Sequence, residues 1–374
     1  MALNDPISYL DYNATTPVLP AAAEAVAASL AHFGNPSSVH AAGRRARAVV
    51  EDAREAVAAM VNAQPQHVVF TGSGTEANAL ALRGLKAANR CTAVLGAGIE
   101  HPSVLAHIPE SNIVAVDADG VIDLAALERE LAARAAPVLV TLMFANNETG
   151  VLQPVARAVE LARKYGALIH CDAVQAAGKV AIDMRALGVD TLSVSAHKIG
   201  GIKGVGAVIM RGGVDMATDI PGGGQERRRR AGTENVPGIA AFGAAARHVQ
   251  TLLDDAPRIK ALRDVLESEM QKSAVGATVF GGKAARLGNT TCVALAGVTS
   301  ETQVMRLDLA GVAVSAGSAC SSGKIAPSHV LLAMGVAADV AKAAIRVSLG
   351  WSTTQADIDR FLKVWLPLAV GAAA

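Results

Sequence analysis

Cysteine is sparse in this chain. Four are spread over 374 residues, Cys91, Cys171, Cys292 and Cys320, and no two stand as C-x-x-C. Too few and too scattered for a disulfide framework, they read as reduced thiols. Net charge is nearly absent too: 34 Lys and Arg against 33 Asp and Glu leave +1. No long-range field is then available to hold a nucleic acid or an anionic membrane, and a small-molecule substrate or a locally matched protein partner is expected instead. The opening MALNDPISYLDYNATTP lacks the basic start and apolar core of a signal peptide, and no apolar run is long and unbroken enough to span a bilayer. A cytoplasmic location is expected. Internal repeats and low-complexity linkers are missing as well. What is present is 51% hydrophobic and 18% charged residues, enough for a large core divided between two domains.

Short β-branched runs alternate with helical patterns: HVVF before TEANALALRGLKAAN, AVLGAG, NIVAVDA, PVLVTLMFA before PVARAVELARKYG, ALIHCDA and TLSVSA. That rhythm predicts an α/β protein with a mostly parallel sheet covered by helices. Ligands in such sheets sit where strands end and helices begin. A helical stretch follows from about Asn235 through Ser273, and then strands at ATVF, TTCVAL and AAIRVSL mixed with helices. The pattern change places a second domain from about residue 251 onward.

Several strand ends carry chemistry. TLSVSA runs into HKIGGIKG, so Ser195, His197 and Lys198 stand at a carboxyl end, with glycines that let backbone approach a ligand. Lys198 fits a surface turn or, if buried, a Schiff-base lysine. In ALIHCDAVQ the period of 2 puts His170 and Asp172 on one face and Cys171 on the other, which spoils a His-Cys-Asp metal triad, and no metal site is expected. Asp172 fits a turn cap or a partner for a pyridine nitrogen. With Lys198 it meets the two needs of pyridoxal phosphate, an aldehyde-binding amine and an acid near the ring nitrogen. HVVFTGSGTEANAL offers backbone donors for a phosphate at a helix start, around Gly74 and Thr75. The same stretch matches the dinucleotide pattern G-x-G-x-x-A, with Glu100 near where a ribose acid would stand. A nicotinamide site, however, would leave Lys198, Asp172 and the thiol loop without a shared purpose.

Further candidates lie on the same sheet edge. His101 in EHPSV is a ring that can stack on a pyridine, or a structural histidine. ANNETG sets Asn146, Asn147 and Glu148 after an apolar strand. Arg346, inside AIRVSLG, wants a carboxylate partner, either an amino-acid substrate or an internal Asp. Arg227 to Arg230 in ERRRRAGT form the strongest local positive patch, suited to an acidic partner or a subunit contact. Three cysteines lie in or beside apolar strands and look like packed core thiols. Cys320 differs: SAGSACSSGK surrounds it with Gly, Ala and Ser that can neither bury it nor stiffen the backbone. It reads as an accidental surface thiol or as a nucleophile on a tether.

LDYNATTP, FGNPSSVH, TGSGTEAN, EHPSV, NNETG, CDAVQ, SAHKIGGIKG, PGGGQERRRRAGT, SAGSACSSG and IRVSLG occur in the order and spacing of cysteine desulfurases of the nitrogen-fixation and iron–sulfur-assembly type. The whole chain resembles that group within the class-V aminotransferase family. The resemblance implies a homodimeric pyridoxal 5'-phosphate enzyme of fold type I, aspartate-aminotransferase-like. Its large domain, with a mostly parallel seven-stranded sheet, would cover residues 14–250, and a smaller α+β domain residues 1–13 and 251–374. It would convert L-cysteine to L-alanine, leave a persulfide on Cys320 and pass the sulfur to an acceptor protein such as an iron–sulfur scaffold. By the same match Lys198 would hold the cofactor and move the α-proton, with Asp172 on the ring nitrogen, Gln175 on the ring hydroxyl and His101 against the ring. Gly74, Thr75, Ser195 and His197 would hold the phosphate, with Thr233 reaching over from the other subunit. Asn147, Arg346 and Asn35 would contact the substrate. Two departures stand out: ERRRRAGT is more basic than the usual motif, and Trp351 has no assigned role.

Overall fold

Among the described residues the chain forms thirteen strands: β1 Ser8–Tyr9, β2 Val68–Thr71, β3 Val94–Ala97, β4 Ile113–Val114, β5 Leu139–Thr141, β6 Leu168–Asp172, β7 Thr191–Ser195, β8 Gly206–Met210, β9 Ala277–Val279, β10 Thr290–Leu295, β11 Val312–Ala313, β12 Ser315–Ala316 and β13 Ala344–Ser348. They come from a computed structural model that describes residues 7–273, 276–317 and 326–372, side chains through 369. Cys320 lies outside the described residues.

Seven strands form one sheet in the order β2-β8-β7-β6-β5-β3-β4. β8 runs antiparallel to both neighbours, and the other pairs are parallel. Nearly every residue of these strands is buried, which explains why they read as continuous apolar runs rather than alternating ones: helices cover both faces. Four strands form an antiparallel sheet, β12-β13-β10-β9. Its core joins Leu10, Ile259, Leu266, Val293, Ile345, Val347, Phe361 and Trp365, apart from the larger core around the seven-stranded sheet.

One long helix, Val236–Ser273, serves both cores. Ile239, Phe242, Ala245 and Val249 face the large core, while Ile259, Leu266 and Met270 face the smaller one. Residues 250 and 251 therefore fall inside continuous helix, and Pro257 sits within it. The N-terminal segment also spans the two parts. β1 pairs in parallel with β11, Asp11 bridges to Ser348, and Asn13 continues to the carboxyl edge of the large sheet. NIVAVDA pairs in the sheet over Ile113 and Val114.

Candidate active site

At the carboxyl edge of the large sheet, β6 ends on Asp172, β7 on Ser195, and the chain leaving β3 and β5 delivers His101 and Asn147. A cavity of about 310 Å³ opens there. It is lined by Gly74, Thr75, His101, Asn147, Asp172, Gln175, Ser195, His197, Lys198 and Arg346, ten residues singled out from the sequence, together with Asn13, Asn78 and Ser103.

After Ser195 a single 3-10 turn, Ala196–Lys198, turns the lysine back toward the N-terminal segment. Lys198 Nζ donates to the carbonyls of Asn13 and, at 3.0 Å, Ala14. Gln175 Nε2 also donates to Asn13 O, at 2.8 Å. The orientation of the Gln175 amide is set from behind, where Lys179 Nζ donates to Gln175 Oε1 at 2.9 Å and to Gln175 O at 3.0 Å. Burial holds the Lys179 amine well below its ordinary range, with Lys198 and Arg346 pushing the same way. Lys198 and Arg346 thus bring two cationic side chains to the cavity wall, with Lys179 behind Gln175, which suits an anionic ligand.

The opposite side carries the acid. Asp172 Oδ1 accepts from Val174 N at 2.9 Å and Oδ2 from Asn78 Nδ2 at 2.7 Å, so this carboxylate caps its turn and still lines the cavity. His101 caps the short helix Pro102–Leu105 through Nδ1, which accepts from Ser103 N at 3.1 Å. Burial lowers the His101 pKa; Asp172 opposes that shift and Lys198 adds to it. His197 is pushed down to about 4, first by burial and then by Lys198, Lys203 and Lys179.

Between these sides the helix Gly74–Ala88 starts. Ser73 Oγ accepts from Glu76 N at 3.1 Å, while Glu76 Oε2 accepts from Gly72 N at 2.7 Å, so the turn is held from both ends. Gly206 lets β8 press on this turn: a Cβ there would lie 2.6 Å from the Ser73 carbonyl carbon and 2.9 Å from Gly74 N. The result is a helix N-terminus aimed at a cavity. Three buried polar atoms of residues lining that cavity, Ser195 Oγ, Asn147 Oδ1 and Arg346 Nε, have no partner in the protein. Buried polar atoms left this way call for a polar ligand. Donors at a helix start, a hydroxyl, an amine and a carboxylate within one cavity fit pyridoxal phosphate. The dinucleotide reading fails at Glu100, which is 0% exposed, accepts from Met143 N at 2.9 Å and does not line the cavity.

Arg346 is 2% exposed, and its partner is internal. Nη2 donates to Asp11 Oδ1 at 2.8 Å and to Ser315 Oγ at 3.2 Å, and Nη1 to Asn147 O at 3.1 Å. Ser315 Oγ also donates to Asp11 Oδ2 at 2.8 Å. Asp11 is a functional neighbour that sequence reasoning missed, as are Asn13, Asn78 and Ser103; the signal was their place in LDYNATTP, TGSGTEAN and EHPSV. Two predicted residues lie apart. Thr233 lines a different cavity with Gly72, Glu226 and Arg230, and Asn35 sits in an exposed turn where Oδ1 accepts from Ser37 N at 2.8 Å. The cysteines Cys91, Cys171 and Cys292 are buried, and burial pushes each thiol pKa up.

A large mostly parallel sheet with a lysine and an acid at adjoining strand ends, beside a smaller antiparallel sheet, defines a transferase of the aspartate-aminotransferase fold, type I. Residues 8–361 match the family model described as aminotransferase class-V. A cysteine desulfurase from Cereibacter sphaeroides is 45% identical over 371 residues, covering 96% of this chain and 95% of its own. Among solved structures, a NifS-like protein from Rickettsia africae is similar with a TM-score of 0.88 and 34% identity, over 97% of this chain and 99% of its own. A structure of SspA in complex with cysteine is similar with a TM-score of 0.80 and 29% identity, over 91% and 98%. This chain belongs to the class-V aminotransferase family, in its cysteine desulfurase branch.

Proposed function

We propose that the protein is a pyridoxal-phosphate-dependent cysteine desulfurase that takes sulfur from L-cysteine, releases L-alanine and keeps the sulfur as a persulfide on Cys320. The observation that carries this reading is the convergence of Lys198, Asp172 and the Gly74 helix start on one cavity with orphaned polar walls. Bound there, the cofactor supplies an electron sink for negative charge at the substrate α-carbon. Lys198 would anchor it through Nζ, with Asp172 for its ring nitrogen, Gln175 for its ring hydroxyl and His101 for its ring face. Gly74, Thr75, Ser195 and His197 receive the phosphate, completed by Thr233 of a second subunit. Arg346 and Asn147 orient the substrate carboxylate. Lys198 Nζ would take the α-proton and later return a proton toward the product. Cys320 as thiolate attacks the substrate sulfur: an S–S bond forms, the Cβ–S bond breaks, and the electron pair stays with the alanine fragment.

The similar protein solved with cysteine supports this substrate. A relative in Dictyoglomus turgidum bears the name cysteine desulfurase IscS, which supports delivery to an iron–sulfur scaffold or a like acceptor. Among the described residues no helix is long and apolar enough to cross a membrane, in keeping with work in the cytoplasm. Phe33 at 91% and Val39 at 88% exposure flank Asn35, an apolar patch suited to a second copy of this chain. The chain divides into a large domain of residues 14–250 and a small one of 1–13 with 251–374.

Purified protein given L-cysteine and a reductant should release sulfide and alanine in equal amounts. Lys198→Ala should remove the yellow cofactor band and the activity together. A band that survives in this variant overturns the cofactor site, and alanine formed without sulfide overturns the reaction.

A further inference from the structure

Asp172 and His101 leave different strands, yet one buried amide reaches toward both. Asn78, in the helix Gly74–Ala88, is 1% exposed. Its Nδ2 donates to Asp172 Oδ2 at 2.7 Å and to Ser103 Oγ at 3.0 Å. Ser103 Oγ lies 2.8 Å from His101 Nδ1. On its other side Asn78 Oδ1 is 3.2 Å from His170 Nε2, and His170 Nδ1 is 2.9 Å from Thr191 Oγ1.

An amide has a donor end and an acceptor end, and its neighbours decide which points where. A carboxylate only accepts, so the Asn78 NH2 group must face Asp172. The Oδ1 end then needs a donor, and His170 supplies one if its Nε2 carries the proton while Nδ1 accepts from Thr191 Oγ1. Burial pushes His170 down to about 4, against the pull of Asp172, so at neutral pH the ring is neutral and has one N–H to give. Both hydrogens of the Asn78 amide are then spent, one on Asp172 and one on Ser103.

We propose that Asn78 is a positioning residue for the reaction: through Ser103 it ties the orientation of the His101 ring to that of the Asp172 carboxylate, and His170 sets the direction of its amide. The inference rests on the pyridoxal-phosphate reading of the cavity. It gives His170, Thr191 and Ser103 a purpose that packing does not require, since an apolar side chain would fill the site of His170 without a buried polar chain. Outer partners of this kind fix the groups that touch a cofactor.

The test uses the cofactor-loaded protein and three variants, Asn78→Ala, His170→Leu and His170→Gln. Visible circular dichroism of the cofactor band reports how the ring is held, and steady-state kinetics separate kcat from KM. Asn78→Ala should at least halve the visible dichroism and lower kcat about tenfold with KM within about twofold. His170→Leu should reproduce that loss. His170→Gln keeps a donor for Asn78 and an acceptor for Thr191, and should recover kcat to within about threefold of the parent. Equal damage in the Gln and Leu variants overturns the inference, as does an Asn78→Ala dichroism unchanged from the parent. If Asn78→Ala fails to fold, the two His170 variants decide. A parent protein that shows no cofactor band refutes the function itself, a different outcome from any of these.

Discussion

Arg346 shows how one buried side chain can serve the fold and still keep a group open to a ligand. Its guanidinium is buried, and Asp11 is its carboxylate partner in the protein. The Nε group remains free to take a second carboxylate. Removing Asp11 leaves a buried cation without compensation, so Asp11→Ala should destabilise the protein by about 3 kcal/mol in urea unfolding. Asp11→Asn, which keeps the acceptor for Nη2, should recover most of that loss. A loss below about 1 kcal/mol in Asp11→Ala would show that Ser315 and the Asn147 carbonyl suffice. Residues such as Lys198 and Asp172 were legible in the sequence because a strand's end fixes where the next side chain points. Asp11, Asn13 and Asn78 were not, since their roles arise from contacts with residues 94 to 335 positions away along the chain. Whether Arg346 met a substrate or an internal Asp was open in the sequence; the internal Asp is present, and the free Nε leaves room for both.

The run ERRRRAGT teaches the same lesson at the level of an element. Read as a basic loop, it turns out to hang on its one acid. Glu226 is buried, accepts from Arg54 Nη1 at 2.7 Å and Nη2 at 2.8 Å, and from Phe70 N at 2.8 Å. The Arg54 guanidinium stacks 4.9 Å from the Phe70 ring centroid. Glu226, Arg227 and Arg228 follow one another with φ of 45°, 56° and 63°, a left-handed stretch that costs side-chain-bearing residues about 1–2 kcal/mol each. The Arg54–Glu226 pair offsets that strain and fixes the loop against β2. Glu226→Ala should lower stability by about 3 kcal/mol, and limited proteolysis should then cut within residues 225–230. An uncut loop in that variant would mean the anchor lies elsewhere. The helix over Val236–Ser273 and the strands β9, β10 and β13 were legible from their periods and β-branched runs. The two-residue strands β1, β11 and β12 were not, because pairs so short carry no period and form through tertiary pairing alone.

Over the whole molecule, buried acids and histidines set how stability follows pH. Burial first of all pushes Glu100 up to about 8 and Glu148 up to about 7, from an ordinary 4.5. The folded form binds these protons more tightly than the unfolded chain, so the stability they confer is full below about 4.5 and is lost as pH rises through 7 and 8. His170 and His197, pushed down to about 4 from 6.5, act in the opposite sense: the unfolded chain takes up their protons first, and stability rises from pH 4 to 6.5. The two pairs offset each other between about 4.5 and 6.5; above that the glutamates lower stability while Lys179, held well below its ordinary range by burial, acts in the opposite sense. The share of Glu100 is isolated by comparing the thermal midpoints of the parent and Glu100→Gln at pH 6.5 and pH 8. Between those two pH values the variant should gain on the order of 2 kcal/mol over the parent, because it has no carboxylate to ionise there. A difference between the two proteins that stays the same at both pH values would contradict the Glu100 shift. The overall architecture, an α/β sheet followed by a second smaller one, was readable from the alternation of runs. That one helix spans residues 250 and 251 was not, since a helix crossing from one core to another changes its apolar face without breaking its period.

The most direct measurement is the mass of the peptide containing Cys320 after the loaded protein meets L-cysteine without reductant. One added sulfur on Cys320, with one alanine released for each, is expected. Alanine released while Cys320 stays unmodified, or sulfur found on Cys91, Cys171 or Cys292 instead, would contradict a thiolate that receives sulfur from a substrate held beside Lys198.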